Sequence, residues 1–291
     1  MKKILSFILV ALMISVFIVG CSKAPAASDF NTGKTINVVS REDGSGTRGA
    51  FVEIVGILEK DASLNEVDRT YEEAIIQNGT DAVMSTVAGD EYSIGYISLG
   101  SLNKTIKAIT IEGIEATVEN VQNGTYKIAR PFNVAYKGEL SLLAKDFMEF
   151  ILSAEGQAII GEEGYVQVGT DLPVYTGTEQ SGNIVVAGST SVTPVMEKLA
   201  EAYQGMYSGV SIEIQSTGSS AGMQSAMEGT AELGMASREL KESELAELTA
   251  QIIAKDGIAV IVNKANPIGD LTIDDVKAIY VGESTEWNAV E

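Results

Sequence analysis

Apolar positions along the chain fall into two alternating rhythms, short β-branched runs and stretches spaced three and four residues apart. INVVS (36–40) is the first run and predicts a strand. After REDGSGTRG (41–49), Phe51, Ile54, Val55 and Leu58 fall at i, i+3, i+4 and i+7, one face of a helix. YSIGYISLG (92–100) reads as strand and turn, and IKAITIEGIEA (106–116) as short strands. IARPFNVAYKG (128–138) is an extended run with Pro131 near its start. Within 140–165, Leu143, Phe147, Phe150 and Ile151 have helical spacing, and a second helix follows Ser153. Segment 166–182 is turn-rich and reads as a linker.

The rhythm then repeats. NIVVAG (183–188) and STSVTP (189–194) precede a helical face of Val195, Met196, Leu199 and Tyr203. VSIEIQS (210–216) alternates like a strand and runs into TGSSAGMQSAM, a turn and a helix. AELGMASRELKESELAEL has a strand-like start, a turn at Ser237 and a helix. GIAVIVN (257–263) has the composition of a buried strand. LTIDDVKAIYVGE (271–283) predicts a helix capped by Thr272, with Asp275 three residues on. Strands alternating with helices predict an α/β fold with mostly parallel sheets.

Composition narrows the function. The 291 residues suffice for one large domain or two ordinary ones, and 45% are hydrophobic, so the chain is globular. A net charge of −20 argues against nucleic acid and against adsorption to anionic lipid by charge. The absence of histidine removes His triads and His metal sites, and the single cysteine, Cys21, removes disulfides and cysteine zinc clusters. No metal or cofactor is expected. Lys2 and Lys3, an apolar stretch from Ile4 to about Val19, and Gly20 form a leader pattern too short for a membrane anchor.

Four loops carry candidate chemistry: REDGSGTRG (41–49), GSTSVTP (188–194), STGSSAG (216–222) and MASRE (235–239). Each lies between a strand and a helix candidate. Glycine permits a sharp turn and close approach to a ligand. A helix N-terminus offers free N–H groups and a positive dipole end, and hydroxyls add donors without charge. Together these make an anion site, with Arg41 as a fork-shaped cationic donor. Each Ser or Thr alone is equally an ordinary N-cap, and Asp43 beside Arg41 equally a surface pair. A nucleophilic Ser45 or Ser191 would lack a histidine to activate it. The number of such loops favours convergence at the C-terminal ends of strands, where open α/β sheets bind ligands.

At these loops the sequence resembles the phosphate-binding subunit of the bacterial phosphate ABC transporter. The carriers are GSTSVTP, STGSSAGMQSAMEG, AELGMASRELKESE, DGIAVIVNKANP, LTIDDVKAIYVGESTEW and REDGSGTRGAF, with weaker matches in IGYISLG and SAEGQAIIGEEGYV. The resemblance implies a two-lobed periplasmic-binding-protein fold of type II, not an enzyme, closing on inorganic phosphate and delivering it to a membrane permease. It implies a phosphate site of Arg41, Ser45, Gly46, Thr47, Thr190, the Ser191 N–H and Ser219, with Asp43 steadying Arg41. Ser237 stands where some members place an acid that accepts the proton of hydrogen phosphate, so here Asp43 or backbone carbonyls are expected to accept it.

IVGC resembles a bacterial lipobox, which implies cleavage before Cys21, lipid on that residue and a tether to the outer face of the cell membrane, and the protein is expected to be a monomer. The order departs from the family, since GSTSVTP usually opens the mature chain and REDGSGT follows ESTEW. The reading is therefore a circularly permuted chain. It has a leader (1–20), a lipidated tether (21–34), one lobe from 35–129 plus 265–291, and another from 130–264. The strands crossing between lobes would be GIAVIVN and ARPFNVAY. Three alternatives stay open: a receptor for sulfate, molybdate or tungstate, a phosphate-sensing or scaffold protein uncoupled from transport, and a hydrolase using a site serine.

Overall fold

The computed structural model describes residues 30–63, 65–178 and 180–290. The leader, Cys21 and the tether as far as residue 29 lie outside the described residues. Among the described residues no helix is long and apolar enough to cross a membrane.

The chain opens with β1 (Asn37–Arg41) and α1 (Gly46–Ile54). A hairpin of β2 (Leu58–Lys60) and β3 (Glu66–Asp68) follows. Next come β4 (Ile75–Gln77), α2 (Thr80–Gly89) and β5 (Ser93–Ser98). Short strands β6 (Lys107–Ala108) and β7 (Thr110–Ile111) and helix α3 (Val118–Gln122) lead to β8 (Ala129–Tyr136). Helices α4 (Leu142–Ile151) and α5 (Ala154–Glu162) precede the linker. Beyond it run β9 (Ser181–Gly188), α6 (Thr193–Met206), β10 (Gly209–Ser216), α7 (Ser219–Glu228) and β11 (Leu233–Ala236). The chain finishes with α8 (Glu242–Leu245), β12 (Thr249–Val262), β13 (Asp270–Leu271) and α9 (Ile273–Tyr280).

The main sheet runs β10-β9-β11-β8-β12-β5-β1-β4. Its two ends repeat one plan. β9 pairs in parallel with β10 and β11, as β1 does with β4 and β5. In each case a strand, a helix, a second strand, a helix and a third strand follow in order, with the β2–β3 hairpin inserted after α1 in one of them. β8 runs antiparallel to the β9 group, β12 antiparallel to the β1 group, and the two, antiparallel to each other, join the lobes. β12 serves both, its first half against β8 and its second against β5. Each lobe has a separate apolar core. Phe132, Phe147, Leu199 and Tyr203 belong to one, and Val39, Val83, Ile97 and Ile261 to the other. All eight are fully buried, and a side chain of this size contributes about 1.5–3 kcal/mol on burial.

The expected helix after REDGSGTRG ends earlier than the apolar spacing predicts. Gly56 takes a φ of 78°, which ends α1, and Leu58 opens the β2–β3 hairpin instead. The helix after Ser237 is only four residues long, and the strand at GIAVIVN begins eight residues earlier than expected. Ser153 and Thr272 cap α5 and α9, and Thr272 with Asp275 forms a complete capping box.

Two features concern the order of the segments. The start and finish of the folded region lie side by side, with Ile36 N donating to Thr285 O and Asn288 N to Thr32 O, both at 2.8 Å. Among its described residues the linker forms no helix, but it is tied down at both ends, by a bridge from Val166 to Lys255 and by the start of β9 at Ser181. Ala154 N donates to Pro173 O at 2.8 Å, and Tyr175 OH bonds Asp146 and, at 2.9 Å, Tyr207 OH.

Candidate anion-binding site

Four helices, α1, α2, α6 and α7, each begin directly after a parallel strand, and because the β9 group runs opposite to the β1 group across β8 and β12, the two pairs of N-termini face each other between the lobes. The loops that enter them are in mutual contact. Ser220 N, in α7, donates to Gly44 O at 3.0 Å, and Thr47 Oγ1, in α1, bonds Ser191 Oγ at 2.9 Å. Gly46 fits because it has no side chain. A Cβ there would overlap Ser219 Oγ and approach Ser237 Oγ to 2.8 Å. Gly188 has a φ of 140° and its Cα lies against the Met235 backbone, so the turn into STSVTP also requires glycine.

The hydroxyls form a connected set. Ser189 Oγ accepts from Ser191 N at 3.2 Å and donates to Ser237 Oγ at 2.8 Å. Ser237 Oγ lies 3.4 Å from Ser219 Oγ, which accepts from Ser237 N at 3.2 Å. Ser189, Ser191, Ser219 and Ser237 are all buried, as is Thr47.

Arg41, at the end of β1, is the cation of the cluster and is 1% exposed. Its Nε and Nη2 donate to the two carboxylate oxygens of Glu42, both at 2.7 Å, and Nη2 also donates to Thr190 Oγ1 at 2.9 Å. Its Nη1 is buried with no hydrogen-bond partner in the protein. An unpaired buried guanidinium N–H is costly, and an oxyanion is its natural complement. Glu42 also accepts from Gly79 N at 3.2 Å. Burial alone would raise the Glu42 carboxyl, but hydrogen bonding and charge from Arg41, with the Gly79 amide, hold it below the usual range. Glu42 is therefore an anion that orients Arg41.

The structure brings Arg41, Gly46, Thr47, Thr190, Ser191, Ser219 and Ser237 together. Ser45 sits in the same loop but caps α1, accepting from Arg48 N at 3.3 Å. Asp43 departs from expectation. Its side chain is 99% exposed and pairs with Arg48 at 3.0 Å, so it neither steadies Arg41 nor reaches the cluster. The expected Ser191 N–H is engaged by Ser189 Oγ.

Sequence reasoning missed Glu42, Ser189, Gly79 and Thr80. Thr80, the first residue of α2, is buried with its Oγ1 3.5 Å from Thr190 Oγ1. NGTD (78–81) has the same glycine-and-hydroxyl grammar as the other loops and was the available signal.

This geometry has relatives. A family model described as a PBP superfamily domain matches residues 26–155 and 173–291. The phosphate-binding protein PstS 2 of Streptococcus agalactiae serotype V is 45% identical over 289 residues, spanning 98% of this chain and 97% of that protein. The phosphate-binding protein PstS 2 of Streptococcus pneumoniae serotype 4 is 44% identical over 291 residues, 100% of this chain and 99% of that one. A crystal structure of a phosphate ABC transporter, phosphate-binding protein from Streptococcus pneumoniae TIGR4 is 46% identical. It superposes with a TM-score of 0.72 over 88% of this chain and 100% of that chain. The chain belongs to the PBP superfamily and, within it, to the PstS family.

Proposed function

We propose that this protein captures inorganic phosphate between its two lobes and passes it to an ABC permease, performing no covalent chemistry. One observation carries the reading: Arg41, oriented by Glu42 and buried beside the site hydroxyls, keeps Nη1 unpaired. The site residues are Arg41, Gly46, Thr47, Thr190, Ser191, Ser219 and Ser237, with Ser45 acting through the α1 cap and Asp43 left out. Glu42 takes the orienting role. Helix N-termini supply further partial positive charge without a net cation. That suits an anion held against a chain of net charge −20. With Asp43 exposed, backbone carbonyls are left to accept the proton of hydrogen phosphate. An acceptor facing fully ionised sulfate would stay unpaired, which disfavours sulfate.

The lobes are 35–129 with 265–291, and 130–264, except that the second half of β12 packs in the first of them, and they close by hinge motion on β8 and β12. The permuted order is supported by the adjacent ends of the folded region and by the like plan of the lobes, which leaves the architecture unchanged when their order is exchanged. The IVGC pattern supports anchoring by lipid on Cys21 at the extracytoplasmic face of the membrane.

Titration calorimetry on protein freed of bound phosphate tests the reading, with phosphate and then sulfate at two pH values. One-to-one phosphate binding with no sulfate heat is expected. A folded protein that ignores phosphate but binds sulfate, molybdate or tungstate would overturn it.

A further inference from the structure

The two strands that join the lobes carry a buried ion pair directly behind the hydroxyl cluster. Arg130 of β8 and Asp256 of β12 stand opposite each other in the antiparallel register. They are 2% and 1% exposed. Arg130 Nε and Nη2 donate to Asp256 Oδ2 at 3.4 and 3.1 Å. Its Nη1 donates to the carbonyl of Ser237 at 2.8 Å. One guanidinium therefore ties both joining strands to the backbone of a site residue. Asp256 Oδ1 makes no hydrogen bond of good geometry, although the Ser98 hydroxyl and the Leu99 amide stand beside it.

An ion pair this deep is weak evidence for stability, because the cost of desolvating both charges offsets their attraction. Apolar residues would fill the space as well. Its position offers a better account, since each charge acts on the anion cluster through a medium that screens poorly.

We propose that Arg130 and Asp256 are positioning residues of the anion site. Arg130 fixes the Ser237 turn and adds positive potential behind it, and Asp256 takes up a proton as the anion enters. This rests on the phosphate reading above.

The surroundings of Asp256 favour such a response. Arg130 faces it from β8, and Tyr126 and Tyr165 approach from the segments before β8 and after α5. Ser98 and Leu99 close the side toward β5, and Arg41 acts on Arg130 from β1. Burial pushes the Asp256 carboxyl up to about 6, against the charge and hydrogen bonds of Arg130. A bound anion nearby disfavours the carboxylate further, so its pKa rises on binding. By linkage, the affinity penalty from ionised Asp256 is present above that range and fades as pH falls through it.

The test compares phosphate binding by wild type, D256N, R130M and R130K. At about pH 8, D256N should bind roughly three- to tenfold more tightly than wild type, and the two should converge by about pH 5.5. Phosphate's own ionisation is common to both proteins and cancels in the ratio. R130M should bind more weakly, and R130K should recover part of the loss, because it restores charge. Should D256N not fold, isotope-edited infrared spectra of wild type replace it. A protonated-carboxyl band must then grow when phosphate is added a little above the range in which Asp256 titrates, at roughly pH 6.5. Equal affinities for D256N and wild type at every pH, or no such band, would overturn the proposal while leaving phosphate capture intact. Folded wild type that binds no phosphate would overturn both.

Discussion

Arg41 makes three hydrogen bonds, two to Glu42 and one to Thr190, with two of its nitrogens and keeps the third nitrogen buried and unbonded. A hydrogen bond to a charged group is worth about 1.5–3 kcal/mol, so R41A should weaken phosphate binding by about 10- to 100-fold. D43N should change it less than about twofold, because that carboxylate lies in solvent. Calorimetry on the two variants separates the roles, and a large loss in D43N would contradict the geometry. G46A makes a different point. The new methyl meets Ser219 Oγ and Ser237 Oγ across the lobes, so binding should fall by at least about tenfold while thermal stability changes little. X-ray scattering should show the variant staying expanded when phosphate is added. The types of these residues were legible in sequence, but the partner of Arg41 was not. Alternation in a strand puts residues i and i+2 on one face, which favours Asp43. The chain leaves β1 at Glu42 and the alternation fails there, so the immediate neighbour becomes the bidentate partner.

The functional loops are the ends of strand–helix units, and the units differ in how openly the sequence declares them. α9 was fully declared. Thr272 accepts from Asp275 N at 3.0 Å, and the Asp275 side chain accepts from Thr272 N at 2.9 Å. T272A should cost about 1 kcal/mol in urea unfolding, with an unchanged m-value and unchanged phosphate affinity. A null result would mean that packing of Val276, Ile279 and Tyr280 alone holds the helix. β4 and α2 were not declared, although they place Gly79 and Thr80 at the site. β4 is a three-residue edge strand whose Ile75 and Ile76 are 40% and 49% exposed, so it lacks the buried alternation that marks a strand. β12 was half declared. Its apolar half lies inside one lobe, while its first half, TAQIIAKD, carries polar residues that the other lobe's edge accommodates. Sequence periodicity reports burial, and these segments adopt their structure through pairing.

At the scale of the whole molecule, the two lobes are copies of one plan joined by β8 and β12. The plan is indifferent to which lobe comes first along the chain, provided that both connections run over the surface. The two connections here meet that condition in different ways. The start and finish of the folded region are hydrogen-bonded neighbours at residues 32–36 and 285–288. The linker passes Tyr175 into a polar knot, where Tyr203 OH donates to Asp146 at 2.6 Å, and then runs exposed through Thr176, Gly177 and Thr178. Opening the chain after Thr176 would spare that knot. Joining the old ends with about six flexible residues would span a gap already closed by backbone hydrogen bonds. A chain recut this way should fold and bind phosphate within about threefold of the wild type, since neither joint touches the site and loop length changes closure entropy only slowly. Circular dichroism and calorimetry would check it. A recut chain that unfolds would show that the present order is needed for folding, with the linker acting as a structural strut. Retained binding would show that affinity resides in the contacts between lobes, independent of the order in which they are made.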